Sequence, residues 1–293
     1  MHYTSIENIH KVIDPLFLDD LKKELEEIRN ETVIRTRTMK LTAFQDKLAS
    51  LQFLDPAAGS GNFLTESYLS LRHLENDVIS LLNDGQVTLG AMKDPIKVSI
   101  NQFHGIEIND FAVTVAKTAL WIAESQMMKE TQNLVYTILD FLPLKTNANI
   151  VEGNALRIDW NDVVPKEKLN YIMGNPPFVG GMYMSAEQKS DIIDVMEGFK
   201  SAGELDYVAG WYKKSVDLME NTSIHAAFVS TNSICQGQQA TTLWANLLCR
   251  GVIINFGHQT FIWDSEASIK ARVHCIIVGF SFHRDSKTVL YSA

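Results

Sequence analysis

The sequence predicts an α/β fold: a doubly wound, mostly parallel sheet with a helical extension at its N-terminus. Three observations predict it. Short apolar runs of strand length recur along the chain, and longer stretches with helical spacing separate most of them. The segments with the most unusual glycine and proline content fall directly after the runs. Strands alternating with helices make a doubly wound sheet the economical way to bury both kinds of apolar face.

The elements follow in order. Residues 1–50 read as helical. Asp14 followed by Pro15 places a capping residue ahead of a proline, which predicts a helix start there. Leu18, Leu21, Leu25 and Ile28 then recur at helical spacing beneath a charged outer face. Candidate buried strands lie at residues 51–54, 103–108, 149–151, 170–173, 226–229, 252–256 and 273–280. Helical stretches occupy 63–82, 111–127, 186–196, 207–219 and 238–248, with an insert around 83–100. Residues 287–291 read as a short tail. In such a sheet, ligands bind outside the carboxyl ends of the strands, so the loops directly after the strands are where chemistry belongs.

Composition narrows the class. A chain of 293 residues with 46% hydrophobic content can bury a sizeable core in one large domain. No apolar run approaches the roughly 20 residues that span a bilayer, and the N-terminus lacks the basic-then-apolar pattern of a secretory signal. Cys235, Cys249 and Cys275 are scattered, with no metal-binding or disulfide spacing, which suits a reducing cytoplasm. The formal net charge of −9 points away from self-sufficient nucleic-acid binding, because phosphate neutralisation dominates such affinity. Arg35, Arg37 and Lys40 form the nearest thing to a basic run.

Four strand ends carry the chemistry. After the first, residues 55–63 read Asp-Pro-Ala-Ala-Gly-Ser-Gly-Asn-Phe; Gly59 and Gly61 let a ligand approach bare backbone, and Asp55 ends the strand with a carboxylate. A plain strand-to-helix turn explains the glycines equally well. The segment is neither a dinucleotide fingerprint nor a phosphate loop, since the third small residue and the Gly-Lys-Ser/Thr are missing. After the second, Glu107 in Gly105-Ile106-Glu107-Ile108-Asn109 suits a nucleoside ribose, because one carboxylate accepts from both hydroxyls. A solvent-facing strand-end glutamate remains open. After the third, Asn154 in Glu152-Gly153-Asn154-Ala155-Leu156 can accept from an adenine amino group or serve as a turn residue. After the fourth comes Gly174-Asn175-Pro176-Pro177-Phe178. Two prolines directly after a buried strand stop the ladder and stiffen the loop. An amide and a carbonyl held this way can accept both hydrogens of a planar exocyclic amine, while Phe178 offers a face for stacking, worth about 1–3 kcal/mol per base.

Together these segments resemble the N6-adenine DNA methyltransferases of the gamma class, and look closest to the large restriction–modification enzymes that fuse methyltransferase and nuclease. Residues 55–63 resemble the first, cofactor-binding motif of that class, 105–109 the second, 153–156 the third, and 175–178 the catalytic Asn-Pro-Pro-aromatic motif. Tyr3-Thr4-Ser5 looks like the weak motif that precedes the first. Leu205-Asp206-Tyr207 resembles the helical motif after the catalytic one, and residues 228–232 the next strand motif. The resemblance covers nearly the whole chain; Ala58 stands where the family commonly has cysteine.

The resemblance implies a class I, Rossmann-like fold and S-adenosyl-L-methionine as methyl donor. Tyr3, Thr4, Asp55, Ala57, Gly59, Gly61, Asn62 and Phe63 would line the methionine half of the cofactor site. Glu107 and Ile108 would hold the ribose side, Asn154 and Ala155 would sit by the cofactor adenine, and Asn175 would border both ligands. Asn175, Pro176, Pro177 and Phe178 would carry catalysis on an adenine flipped out of double-stranded DNA. Residues 51–293 would form the catalytic domain and 1–50 a helical segment with part of the cofactor site. A target-recognition domain would lie elsewhere, which accounts for the acidic balance. The expected setting is bacterial or archaeal cytoplasm, with no metal and no membrane. Carbon-5 cytosine chemistry is excluded, because no cysteine follows a proline, and Asn175 favours adenine over N4-cytosine. A methyltransferase for protein glutamine or an RNA base, and a non-catalytic S-adenosyl-L-methionine-binding module, are the rival readings. Residues 179–204, with Ser185 and Gln188 spaced as a capping box, read as a mobile lid or an ordered insert.

Overall fold

The computed structural model describes residues 4–83, 95–135, 148–263, 273–284 and 288–292. Eight strands form one sheet: β1 (Phe53–Asp55), β2 (Phe103–Glu107), β3 (Asn149–Glu152), β4 (Tyr171–Gly174), β5 (His225–Thr231), β6 (Ile253–Trp263), β7 (Val273–Ser281) and β8 (Val289–Tyr291). Their order is β3-β2-β1-β4-β5-β7-β6-β8. The four pairings from β3 to β5 are all parallel, whereas β7 runs antiparallel to both β5 and β6. The chain winds from β1 outward to β3, then returns to place β4 on the other side of β1. Such a reversal is where a doubly wound sheet has its ligand crevice, beyond the carboxyl ends of strands such as β1 and β4.

The sheet divides two cores by the alternation of its side chains. Phe53, Phe103, Ala227, Val229 and Ile277 join one core; Leu54, Ile106, Ala226, Phe228, Ile276 and Val278 join the other. The first core is covered by α1 (Ile6–Ile13), α2 (Asp19–Arg29), α3 (Ile34–Ser50), α4 (Asn62–Asn83) and α5 (Asp110–Val135). The second is covered by α6 (Trp160–Val163), α7 (Ala186–Val195), α8 (Ala209–Met219) and α9 (Gly237–Cys249). The N-terminal helices share the first core with the sheet: Ile9, Phe17 and Leu25 are buried in one cluster with Phe53 and Phe103. Among the described residues, no helix is long and apolar enough to cross a membrane.

Several expectations need correction. The first helix starts at Ile6, not at Pro15, with the Ser5 hydroxyl accepting from the Asn8 N–H. The chain is already helical when it reaches Asp14-Pro15 and passes through it as a π-helical turn, Asp14–Leu18. A proline lacks the N–H for the ordinary ladder, and the wider turn absorbs the defect. The strand expected at 51–54 begins at Phe53, because Leu51 caps α3. The expected tail contains β8, which pairs in parallel with β6 through Phe256 and Val289. The helix after β2 runs past Met127 to Val135, since Thr131 is buried inward. Much of the insert around 83–100 lies outside the described residues. Residues 179–204 form an ordered insert: Met184, Ile192 and Met196 are buried in the second core. The Ser185–Gln188 capping box is present, with bonds of 3.2 and 3.0 Å.

A buried polar cluster ties the helices over the first core. Arg72 pairs with Glu75 at full burial and donates to the Thr131 hydroxyl at 2.7 Å. Glu75 also accepts from the Gln45 amide at 2.9 Å and from the Lys97 N–H at 2.6 Å, joining α3, α4 and the strand-like stretch ahead of β2. Removing one partner of such a pair leaves an uncompensated buried charge. Arg72→Ala is therefore expected to lower stability by about 3–5 kcal/mol, read from urea unfolding.

Candidate active site

The crevice at the β1–β4 boundary is built from the loops that follow four parallel strands. Asp55 ends β1 with its side chain 1% exposed, and its carboxylate accepts from the Ala57 N–H at 2.9 Å. Burial, with the neighbouring Glu107 charge adding to it, pushes its pKa up to about 8. The loop is pulled onto β2 by the Ala58 N–H, which donates to the Ile106 carbonyl at 3.0 Å. Gly59 and Gly61 have φ of +54° and +82°. At Gly61 a side chain is excluded twice, because its Cβ would stand 2.9 Å from the Ala116 Cβ. Asn62 and Phe63 open α4; Phe63 and Ala58 are buried in the first core. Thr4 is buried just ahead of α1, and Tyr3 lies outside the described residues.

Glu107 binds the first loop to the second. One carboxylate oxygen accepts from the Gly59 N–H at 2.8 Å, the other from the Asn109 N–H at 2.9 Å. Carboxylate oxygens each carry further acceptor capacity, so these bonds leave room for a ligand hydroxyl. Ile108, the next residue, is 67% exposed. In the third loop, Asn154 is held as a turn residue: its amide oxygen accepts from the Leu156 N–H at 2.9 Å, and its nitrogen donates to Asp191 at 2.9 Å. Ala155 is buried in the second core.

The fourth loop meets the first directly. Gly174 lies so close to Asp55 that a Cβ on it would fall 2.4 Å from a carboxylate oxygen. Asn175 follows at once, and its side-chain oxygen is buried without a hydrogen-bond partner. Pro176 is buried, Pro177 exposed, and Phe178 half-buried against the first core. The chain beyond is clamped: the Tyr207 N–H donates to the Val179 carbonyl at 2.9 Å, and the Gly181 N–H donates to Asp206 at 3.2 Å. Asp206 in turn accepts from the Ser233 hydroxyl and takes the Gln239 amide oxygen on its own N–H at 3.1 Å. The segments 205–207 and 228–232, recognised in the sequence only as motifs, thus buttress the catalytic-type loop.

Two residues of this site escaped sequence reasoning. Trp211 on α8 donates its indole N–H to the Pro56 carbonyl at 2.9 Å, bracing the first loop from the second core. Asp191 on α7 gathers Asn154, Arg157 and the Tyr207 hydroxyl. Neither carries a local signal; a tryptophan at helical spacing reads as core, and a helix aspartate reads as a solvated face.

With this geometry in hand, the chain can be compared with known proteins. Residues 29–292 match the family described as MmeI, DNA-methyltransferase domain. DNA methyltransferase A of Bacillus subtilis (strain 168) is 40% identical over 283 residues, which cover 96% of this chain and 31% of that protein. The structure of the Type IIL restriction-modification enzyme MmeI in complex with DNA superposes with a TM-score of 0.94 at 43% identity, over 100% of this chain and 38% of that one. A nuclease-deletion mutant of the Type ISP restriction-modification enzyme LlaGI has a TM-score of 0.57 at 14% identity, a likeness of fold alone. The chain spans about a third of the length of the first two relatives. Its eight-stranded α/β sheet is thus the Rossmann-like fold of restriction-modification methyltransferases.

The Asp55 carboxyl gives a test by pH. Its folded pKa, about 8, lies above its ordinary value of 3.8, so the stability it contributes is complete below about pH 4 and is lost as pH rises through 8. The melting temperature of the wild type should therefore fall relative to that of Asp55→Asn across this window. Parallel melting curves for the two proteins from pH 4 to 8 would contradict the assignment.

Proposed function

The chain belongs to the MmeI DNA-methyltransferase domain family, and from that premise we propose that it transfers the methyl group of S-adenosyl-L-methionine to the N6 amino group of adenine in double-stranded DNA. One observation carries the reading: the side-chain oxygen of Asn175 is buried and unpaired, and the residue before it, Gly174, packs on the Asp55 carboxylate. A buried acceptor without a donor costs free energy unless a ligand supplies one, and an exocyclic amine does.

The cofactor supplies an electrophilic methyl group on a positively charged sulfur. The residues present fit it: a buried carboxylate at Asp55, open backbone at Gly59, the Glu107 carboxylate between them, and exposed apolar surface at Ile108. Asp55, Ala57, Gly59, Gly61, Asn62 and Phe63, together with Tyr3 and Thr4, would hold the methionine half. Glu107 and Ile108 would hold the ribose side, and Asn154 with Ala155 the adenine.

The target adenine would leave the duplex, because its N6 is out of reach inside the stack. Its amine is a poor nucleophile while the lone pair is delocalised into the ring. The Asn175 side-chain oxygen and the Pro176 carbonyl would accept its two N–H groups and favour a pyramidal nitrogen with a directed lone pair. Phe178 would stack on the base. Positioning and electrostatic complementarity then account for the rate, with no strong base needed before attack. With a formal charge of −9, this core contributes little phosphate neutralisation. Grip and sequence recognition therefore belong to other parts of the protein, acting in the cytoplasm on cellular DNA.

Asn175→Ala should abolish methyl transfer while leaving cofactor affinity, measured by calorimetry, within a few-fold of wild type. A tritium-transfer screen over DNA, RNA and protein with the wild type checks the acceptor. Label in RNA or in protein glutamine rather than DNA would replace the reading, and persistent transfer by Asn175→Ala would remove Asn175 from the acceptor site.

A further inference from the structure

Asp191 projects from α7 with 5% of its surface exposed, and three donors converge on it. The Asn154 amide nitrogen and the Tyr207 hydroxyl reach one carboxylate oxygen at 2.9 and 3.2 Å; the Arg157 guanidinium reaches the other at 2.7 Å. Burial and the adjacent carboxylate push the Tyr207 pKa up to about 12, so its hydroxyl stays protonated as a donor. None of the loops after the strands supplies this carboxylate; it comes from the insert that follows the acceptor loop.

The consequence falls on Asn154. A side-chain amide has a donor end and an acceptor end of nearly equal size, and only its partners decide which points where. Here the oxygen accepts from the Leu156 N–H at 2.9 Å and the nitrogen donates to Asp191. Turning the amide over would set nitrogen against an N–H and oxygen against a carboxylate, donor to donor and acceptor to acceptor. Leu156 alone would favour the observed orientation by one neutral bond. The carboxylate adds a charge-assisted bond, roughly twice as strong.

We propose that Asp191 is a positioning residue for the cofactor nucleobase, locking Asn154 so that its oxygen's second lone pair accepts from the exocyclic amine of the cofactor's adenine. This rests on the function proposed above, and it adds a base preference set from outside the four strand-end loops. A base with a keto oxygen in place of the amine would meet lone pair against lone pair. The site therefore selects adenosyl over inosyl cofactors.

The test uses the whole protein and two probes, S-adenosyl-L-homocysteine and its inosyl counterpart, with affinities by calorimetry. Wild type should prefer the adenosyl probe by at least about tenfold, the value of one hydrogen bond gained against one lost. Asn154→Ala should erase that preference and Asp191→Ala should reduce it several-fold, since the Leu156 N–H alone then holds the amide, whereas Arg157→Ala, which leaves the Asp191–Asn154 bond in place, should keep it. The exchanged pair, Asn154→Asp with Asp191→Asn, restores a donor–acceptor bond between the two positions and leaves an oxygen for the amine, so it should recover the preference. A merely structural Asp191 would not be rescued this way, and the exchange also carries the test should the single variant fail to fold. If Asn154→Ala erases the preference but folded Asp191→Ala keeps it in full, or the exchanged pair folds without recovering it, the proposal is overturned while the site reading stands. If neither single variant alters the preference, Asn154 is not at the nucleobase, and that part of the site reading falls with the proposal.

Discussion

A carboxylate with almost no access to water presses against a residue that has no side chain: Asp55 at the end of β1 and Gly174 at the end of β4. The two strands are neighbours because the winding reverses between them, and the loops that leave them share one wall of the crevice. Any side chain at 174 would drive the loops apart, since its first carbon would stand 2.4 Å from the carboxylate. The close approach sets Asn175, the next residue in the chain, one position from the Asp55 carboxylate contact. Desolvation of Asp55 is the cost of this contact, and it appears as a pKa raised to about 8. A positive charge alongside would act against that shift.

Around this contact the rest of the site is a set of carboxylates that each tie two loops together. Glu107 binds the first loop to the second through two backbone N–H groups. Asp206 binds the stretch after Phe178 to the turn that follows β5 and to α9 through Gly181, Ser233 and Gln239. Asp191 binds the insert to the third loop. Each accepts several donors, so removing one leaves donors on more than one segment unpaired at once. This arrangement explains how a site made almost entirely of loops can hold an amide to one orientation. The insert after Phe178 belongs to the same scaffold, with Ile192 and Met196 buried as deeply as the sheet residues of the second core.

The acidic balance of the chain becomes intelligible in these terms. Much of the carboxylate content with structural consequence faces inward to backbone N–H groups or to buried partners, as Asp55, Glu75, Asp191 and Asp206 do. Such groups organise loops and do not meet phosphates. A formal charge of −9 is therefore compatible with membership of a DNA-methyltransferase domain family, because the contacts that grip phosphates are separable from those that meet a base.

The sequence by itself determined the strand–helix alternation and the resemblance that gave the family, and it singled out the four strand-end loops on which the proposed site rests. These signals are local: glycine, proline and strand-end acids declare their role within a few residues of chain. Where local rules compete, the sequence misled, as at Asp14-Pro15, which looks like a helix start and is a π-turn inside a helix. Only the tertiary structure decided which distant groups meet. Asp191 lies 37 residues from Asn154, and Trp211 lies 155 from Pro56. Glu75 collects Gln45 and Lys97 from opposite directions along the chain, and β8 joins the sheet beside a strand that ends well before it. Hydrophobic periodicity fixes which face of an element is buried, but it leaves open which partner's polar atom arrives there, and that choice is made by the packing of the whole.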